Sequence, residues 1–153
     1  PIIEDCAHTI GGEYKKKKLG TIGEVGFFSF GRDKAFSSVF CGIIITNNKE
    51  LGKKLRTFQQ RQKYPSFFWT FQQLLHPILL YFILPFYNML SLGKIMLIIF
   101  QKLRLLSFPV FPEEKKGKLD FKFIQKLPNL LAILALFQLK RIGIGNTILN
   151  HLK

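Results

Sequence analysis

Acidic residues are scarce in this chain, and its middle has none at all. The 153 residues include 9 Asp or Glu against 23 Lys or Arg, which gives a formal net charge of +14. No acidic residue occurs between Glu50 and Glu113. So basic a balance favours anionic partners such as phosphates or acidic lipids. We expect no nucleic-acid partner, because the basic residues are not interleaved with exposed aromatics as in a recognisable binding module.

Cysteine is rare as well, with only Cys6 and Cys41. Both lie in apolar surroundings without the spacing of metal ligands, so we favour two reduced, buried thiols over a disulfide and expect no metal site. The first residues lack the pattern of a secretory signal peptide. The chain starts directly in a strand-like pattern and is still helical in pattern at its last residues. We therefore expect a piece of a longer, cytoplasmic protein.

Within the first 64 residues, short apolar runs alternate with turns, and a basic amphipathic stretch comes last. This pattern predicts three strands, an exposed lysine-rich hairpin and a helix capped by Asn48. The predicted strands are 1–5, which we expect to be buried, 25–30 and 42–46; the hairpin is 14–20 and the helix is 49–63. Strands followed by a helix are typical of part of an α/β sheet. A further apolar helix, buried on most sides, is predicted over 127–139.

Residues 65–93 contain no Asp, Glu, Lys or Arg, although Pro77 and Pro85 are expected to interrupt them. Three interpretations of the apolar segment 65–112 remain open. The one we favour is a membrane-associated hairpin or in-plane anchor, flanked by basic residues that are attracted to anionic lipid. The others are a core or dimer surface, and a complete transmembrane helix.

Three residue types with distinct chemistry occur near the predicted strand ends. Asp5 ends the first strand, Ser29 ends the second apolar run, and Lys34 follows five residues later. This set suits pyridoxal phosphate (PLP): a carboxylate can keep the pyridine nitrogen protonated, a hydroxyl can bind phosphate, and a lysine amine can form a Schiff base. Each residue alone is more often structural or solvated, so the interpretation depends on their order and spacing.

The run Glu4-Asp5-Cys6-Ala7-His8, the triplet Phe28-Ser29-Phe30, Lys34 and the strand-like 42–47 together resemble the DegT/DnrJ/StrS family of PLP-dependent nucleotide-sugar aminotransferases. The resemblance covers residues 2–55 and, more weakly, 127–139. It implies that Lys34 is the catalytic, cofactor-bearing lysine. It also implies that Asp5 and His8 lie at the cofactor ring and that Ser29 binds the phosphate. Ala35 stands where the family usually has Asn, and the segment 65–112 has no counterpart in ordinary members.

The resemblance implies an α/β fold: part of the large domain of a PLP fold-type I aminotransferase, with a helical apolar insertion. We assign the C-terminal part of the PLP-binding large domain to 1–64, the insertion to 65–112 and a truncated helical return to 113–153. The implied reaction transfers an amino group, which we assign to glutamate, to a keto nucleotide-sugar in envelope polysaccharide biosynthesis.

Family membership further implies a homodimer when the protein is complete. The apolar segment adds the hypothesis of a peripheral location on the inner face of the cell membrane. We expect that this piece alone cannot complete a turnover. The alternative function is a non-catalytic membrane-surface module derived from such an enzyme.

Overall fold

A computed structural model describes residues 1–87, 91–107, 116–117 and 124–141. Its contacts form two units: Pro1–Lys63 with the segment that starts at Lys126, and Tyr64–Gln125. Within the first unit, the amide nitrogen of Lys126 donates to the carbonyl oxygen of Lys63 at 3.0 Å. The chain therefore leaves and re-enters the first unit at neighbouring residues. The domain boundary predicted between residues 112 and 113 lies outside the described residues.

The first unit contains a three-stranded sheet and a separate two-stranded hairpin, as predicted. The strands are β1 (Ile3–Asp5), β2 (Glu13–Tyr14), β3 (Lys17–Lys18), β4 (Val25–Ser29) and β5 (Gly42–Ile45). The sheet has the order β1-β4-β5, with β1 parallel and β5 antiparallel to the central β4. The parallel pair matters most for function, because both of its strands end at the same edge.

One face of this sheet is covered by the loop that precedes β4. The Glu4 carboxylate accepts hydrogen bonds from the backbone nitrogens of Gly23 at 2.6 Å, Ile22 at 2.7 Å and Gly20 at 2.9 Å. Gly26 pairs with Glu4, and a β-carbon at Gly26 would lie 2.5 Å from the Gly20 α-carbon. Only glycine therefore allows the loop to approach this face so closely. The bonds from Gly23, Gly20 and Ile22 lower the pKa of Glu4.

The opposite face of the sheet is open. Phe27 pairs with Ile44, and Ile3 lies two residues before Asp5, the β1 partner of Phe27, so all three apolar side chains share this face. Ile3 is 68% exposed and Ile44 is 56% exposed. The prediction that the first strand is buried is therefore wrong, because nothing in the described chain covers this side of β1.

The helices are α1 (Lys49–Arg61), α2 (Phe67–Ile83), α3 (Leu92–Lys102) and α4 (Asn129–Arg141), with a 3-10 turn over Leu84–Phe86. The predicted cap of α1 is confirmed, since the Asn48 side chain accepts hydrogen bonds from the backbone nitrogens of Glu50 and Leu51. In α4, only the stripe Leu131, Ala135 and Leu139 is buried. The prediction of burial on most sides is therefore wrong for α4, whose other side remains exposed.

The second unit is helical, and α2 continues through Pro77. The prediction that Pro77 interrupts the apolar segment is therefore wrong. Proline lacks the N–H that would donate a hydrogen bond to the carbonyl of Gln73, so the helix loses this bond but continues. In the described part of the chain, Phe67–Phe86 is the one helical stretch long and apolar enough to cross a membrane. Length and composition alone do not distinguish such a helix from other apolar helices.

Both cysteines are free, as predicted, but they differ in burial. Cys6 follows β1 and is buried, whereas Cys41 precedes β5 and is half-buried. Burial raises the pKa of the Cys41 thiol, so this thiol is less reactive than an exposed one at neutral pH.

Candidate functional site

The candidate site lies at the edge of the sheet where β1 and β4 end. Asp5 is the last residue of β1, and Ser29 is the last residue of β4. Asp5 pairs with Phe27, and Ser29 lies two residues after Phe27. Because side chains alternate along a strand, Asp5 and Ser29 project from the same face of the sheet. This is the open face that also carries Ile3 and Ile44.

The loops that follow these two strands bring Lys34 to His8. After β1, the Asp5 carboxylate accepts a hydrogen bond from the backbone nitrogen of Ala7 at 3.0 Å, and the chain turns toward His8. After β4, the backbone nitrogen of Lys34 donates to the carbonyl of Gly31 at 3.1 Å. Lys34 Nζ lies 2.8 Å from His8 Nε2. Residues 26 positions apart in the sequence therefore form a direct hydrogen bond.

Lys34 is held between an imidazole and a carboxylate. Its side chain is only 14% exposed, and Nζ lies 3.0 Å from Asp33 Oδ2. The hydrogen bond from Lys34 lowers the pKa of Asp33, whose side chain is itself 73% exposed. A lysine ammonium donates to His8 Nε2, whereas a neutral amine can accept from it when the imidazole carries the Nε2 proton. The pair can therefore pass a proton between the two groups.

Ser29 offers a hydroxyl donor suited to an anion beside Lys34, and Gly31 positions that hydroxyl. The Ser29 hydroxyl oxygen accepts a hydrogen bond from the backbone nitrogen of Gly31 at 3.3 Å, which leaves its own proton for another acceptor. A β-carbon at Gly31 would lie 3.1 Å from Asp33 Oδ1 and 3.5 Å from Ser29 Oγ. The turn between Ser29 and Lys34 is thus compact, with little room for a larger residue at position 31.

The four residues singled out from the sequence meet to different degrees. His8 and Lys34 are in direct contact, and Ser29 is linked to Lys34 through the Gly31 turn. Asp5 shares the edge and the face with Ser29, but the hydrogen bond that it accepts from Ala7 stays within its own turn. Their roles toward a cofactor remain predictions.

Two residues of the site escaped the sequence analysis. Asp33 forms the ion pair with Lys34, and Gly31 supplies the backbone donor to Ser29. Both lie in the loop Gly31-Arg32-Asp33-Lys34. An acid adjacent to the lysine was the one available signal, but sequence alone does not tell whether such neighbours pair. The loop conformation decides this.

The donor set fits a planar, phosphorylated aldehyde cofactor such as PLP. The half-buried Lys34 amine can react with an aldehyde, and the Ser29 hydroxyl can donate to a phosphate oxygen. Asp5 supplies a carboxylate on the same face, and Ile3 and Phe27 give that face an apolar surface on which a ring can lie.

Comparison with known proteins agrees with the motif pattern. Residues 1–70 match the model of the DegT/DnrJ/EryC1/StrS aminotransferase family. The first 70 residues, slightly less than half of this chain, are thus similar to that family. No solved structure matches the chain.

Three curated relatives give the extent of the similarity. UDP-4-amino-4,6-dideoxy-N-acetyl-beta-L-altrosamine transaminase from Campylobacter jejuni is 39% identical over 56 residues, which are 37% of this chain and 15% of the relative. L-glutamine:2-deoxy-scyllo-inosose aminotransferase from Streptoalloteichus tenebrarius is 42% identical over 55 residues, or 36% and 13% of the two chains.

The third relative is EpsN from Bacillus subtilis, named as a candidate pyridoxal phosphate-dependent aminotransferase. It is 33% identical over 66 residues, or 43% of this chain and 17% of EpsN. The matched part thus spans between one eighth and one fifth of each of these relatives. Residues 1–70, which match the family model, contain all four candidate site residues.

Proposed function

We propose that this chain is part of a PLP-dependent aminotransferase that acts on a keto nucleotide-sugar. The observation that carries the proposal is the 2.8 Å contact between Lys34 Nζ and His8 Nε2, at the edge where Asp5 and Ser29 end two parallel strands. The similarity of residues 1–70 to the family supports it. The fold would then be part of the large domain of a PLP fold-type I enzyme, and residues 65–112 an insertion into it.

In this proposal PLP acts as an electron sink for the carbanion formed at the amino-bearing carbon of the substrate. Lys34 would hold the cofactor through its amine and move protons at Nζ, with His8 Nε2 as the neighbouring acceptor or donor. Ser29 would donate its hydroxyl proton to the phosphate. Asp5 would keep the ring nitrogen protonated from the open face of the sheet.

The names of two relatives bear on the substrate class and on the kind of amino donor. The Campylobacter jejuni relative is named for a UDP-linked amino sugar and the Streptoalloteichus tenebrarius relative for L-glutamine as donor. We propose a nucleotide-linked keto sugar as acceptor, glutamate as donor, and a role in envelope polysaccharide biosynthesis. A dimer that completes the site and a cytoplasmic location belong to the same proposal.

The test is spectroscopic and does not require turnover. The complete protein that carries these residues should develop a visible absorbance band after reconstitution with PLP, and Lys34→Ala should abolish it. Borohydride reduction followed by peptide mapping should attach the cofactor to the peptide containing Lys34. The control Lys53→Ala removes an exposed lysine of α1 and should leave the band unchanged.

Two outcomes would contradict the proposal. A band that survives in Lys34→Ala would place the cofactor elsewhere. A wild-type protein that never develops a band, yet binds lipid vesicles, would favour the non-catalytic membrane-surface module instead. If the band behaves as expected, nitrogen-15 transfer from labelled glutamate or glutamine to a keto nucleotide-sugar, followed by mass spectrometry, identifies the donor.

A further inference from the structure

The second unit buries polar side chains beside apolar ones and leaves many large apolar side chains exposed. In α2 the buried residues are Thr70, Gln73 and Ile83, whereas Phe67 is 82% exposed. The outward side of α2 carries Phe67, Phe71, Ile78 and Phe82, each at least half exposed and spaced to lie along one face. An exposed apolar stripe of this extent is unfavourable in water.

Polar side chains of this unit form hydrogen bonds within the unit, to another side chain or to backbone carbonyls. The Ser107 hydroxyl donates to the Gln73 side-chain oxygen at 3.1 Å, and the Gln72 side-chain nitrogen donates to the carbonyl of Arg104 at 2.6 Å. Thr70 donates its hydroxyl proton to the carbonyl of Ser66 at 3.2 Å. Polar groups that bond internally while apolar groups face outward are typical of helices whose surroundings are lipid.

Helix α3 shows how such a unit would meet a membrane. Its apolar side carries Leu92, Ile95 and Ile99, at the three- and four-residue spacing of one helix face, and Leu103 follows directly after the helix; all four are exposed. Lys94 lies on the other side of the same helix, whereas Lys102, in the last turn, borders the apolar side next to Ile95. The Lys94 amine also lies 5.8 Å from the centre of the Tyr87 ring.

The distribution of these lysines separates two arrangements. A hairpin that crossed the hydrocarbon core would carry Lys94 into or through it, because this lysine is near the turn end of α3. Placing a lysine ammonium in hydrocarbon is unfavourable. Helices lying in the plane of the interface keep both lysines at the headgroups while the apolar side is immersed. The cations along the length of α3 therefore favour the in-plane arrangement.

We propose that the second unit is an in-plane membrane anchor whose occupant is an anionic phospholipid surface. Its apolar face consists of the exposed side chains of α2 and α3 named above, and Lys94, Lys102 and Arg104 contact lipid phosphates. No acidic residue lies between Glu50 and Glu113 to oppose this contact. This inference is independent of the proposed aminotransferase function.

The protein carries its own reporter for the test, because Trp69 in α2 is its single tryptophan. The full chain is mixed with vesicles of phosphatidylcholine, alone or with an equal amount of phosphatidylglycerol. We expect co-sedimentation and a blue shift of Trp69 emission, both stronger with phosphatidylglycerol. Trp69 lies near the start of α2 and opposite Phe67, so insertion depth is measured on the variant Trp69→Phe with Ile78→Trp, whose tryptophan lies near the middle of the helix on the apolar face. Lipids brominated near the headgroup should quench this variant more than lipids brominated near the chain end, as an in-plane helix requires.

Matched variants isolate the two parts of the surface. Lys94→Gln with Lys102→Gln should weaken partition into the anionic vesicles about fivefold per lysine at low salt, or roughly 25-fold together. The control Lys15→Gln with Lys16→Gln removes the same charge from the β2–β3 turn and should change it less than about twofold. Phe71→Gln with Ile78→Gln should reduce binding to both vesicle types, whereas Phe58→Gln on α1 should not.

Three results would overturn the proposal. The first is an unshifted Trp69 emission with both vesicle types. The second is stronger quenching from the chain end than from the headgroup, which would indicate a crossing segment. The third is a stable oligomer that covers this face and stays in the supernatant with vesicles, which would make a second copy of the chain the occupant.

Discussion

The two units of this chain use polar side chains in opposite ways. In the first unit, α4 buries Leu131, Ala135 and Leu139, and the polar groups His8 and Lys34 lie at the edge of the sheet. In the second unit, α2 is at least as apolar in sequence but buries Thr70 and Gln73. Apolar composition therefore does not tell which side of a helix faces the interior of its unit. The positions of the few polar residues indicate that side.

The difference also extends to charge. Carboxylates organise the first unit: Glu4 holds the loop before β4, and Asp33 pairs with Lys34. The described residues of the second unit, 64–87, 91–107, 116–117 and 124–125, include no Asp or Glu. Protonation of carboxylates at acid pH should consequently destabilise the first unit and leave the stability of the second largely unaffected.

The largest effect is expected in α4. Leu131→Ala should lower the free energy of unfolding by about 3 kcal/mol, since it removes a fully buried side chain and leaves a cavity. The matched control is the neighbouring Leu130→Ala, whose side chain is 50% exposed and whose loss should cost under about 1 kcal/mol. Equal losses for both variants, measured by chemical denaturation, would mean that α4 does not bury one stripe as described.

A smaller effect is expected for the polar interior of the second unit. Ser107→Ala should cost about 1 kcal/mol, because it leaves the buried Gln73 oxygen without the hydroxyl donor. Thermal unfolding followed by Trp69 fluorescence in the presence of vesicles measures this. Ser91→Ala is the control, since Ser91 is exposed and its side chain makes no capping bond. A Ser107→Ala variant as stable as wild type would contradict the claim that polar side chains stabilise the interior of the second unit.

The smallest effect at neutral pH is expected for Glu4→Gln, because the amide keeps one oxygen that can accept from the loop. The pKa of Glu4 is lowered from its ordinary 4.5 by the backbone bonds from Gly23, Gly20 and Ile22. The stabilisation it gives is therefore present above pH 4.5 and is lost as the pH falls through the lower, folded value. Amide exchange of residues 18–26, corrected for intrinsic rates, should show this loss of protection.

In Glu4→Gln, amide exchange of this loop should no longer accelerate as the pH falls. In Glu24→Gln, whose changed residue directly precedes β4, the acceleration should remain. Exchange that accelerates equally in acid for wild type and Glu4→Gln would show that another group controls the loop. Protection in α2 should not change over the same pH range, and a parallel loss there would contradict the difference between the units.

Much of the first unit was predictable. The strands, the lysine-rich hairpin and the Asn48 cap follow from local patterns, and the motif order around Asp5, Ser29 and Lys34 identified the family. Two failed predictions concern burial, and another is the predicted interruption at Pro77. Ile3 and one side of α4 are exposed because burial depends on what packs against an element, which periodicity does not reveal.

The sequence alone determined which chemistry is available: a scarcity of acid, a lysine five residues after a serine, and a charge-free apolar run. Those are properties of residue type and spacing along the chain. Only the tertiary structure decided that His8 meets Lys34, that Asp33 pairs with it, and that Thr70 and Gln73 turn inward while Phe67 turns outward. Such contacts join residues distant in the chain or depend on one turn conformation, and short-range pattern carries no information about either.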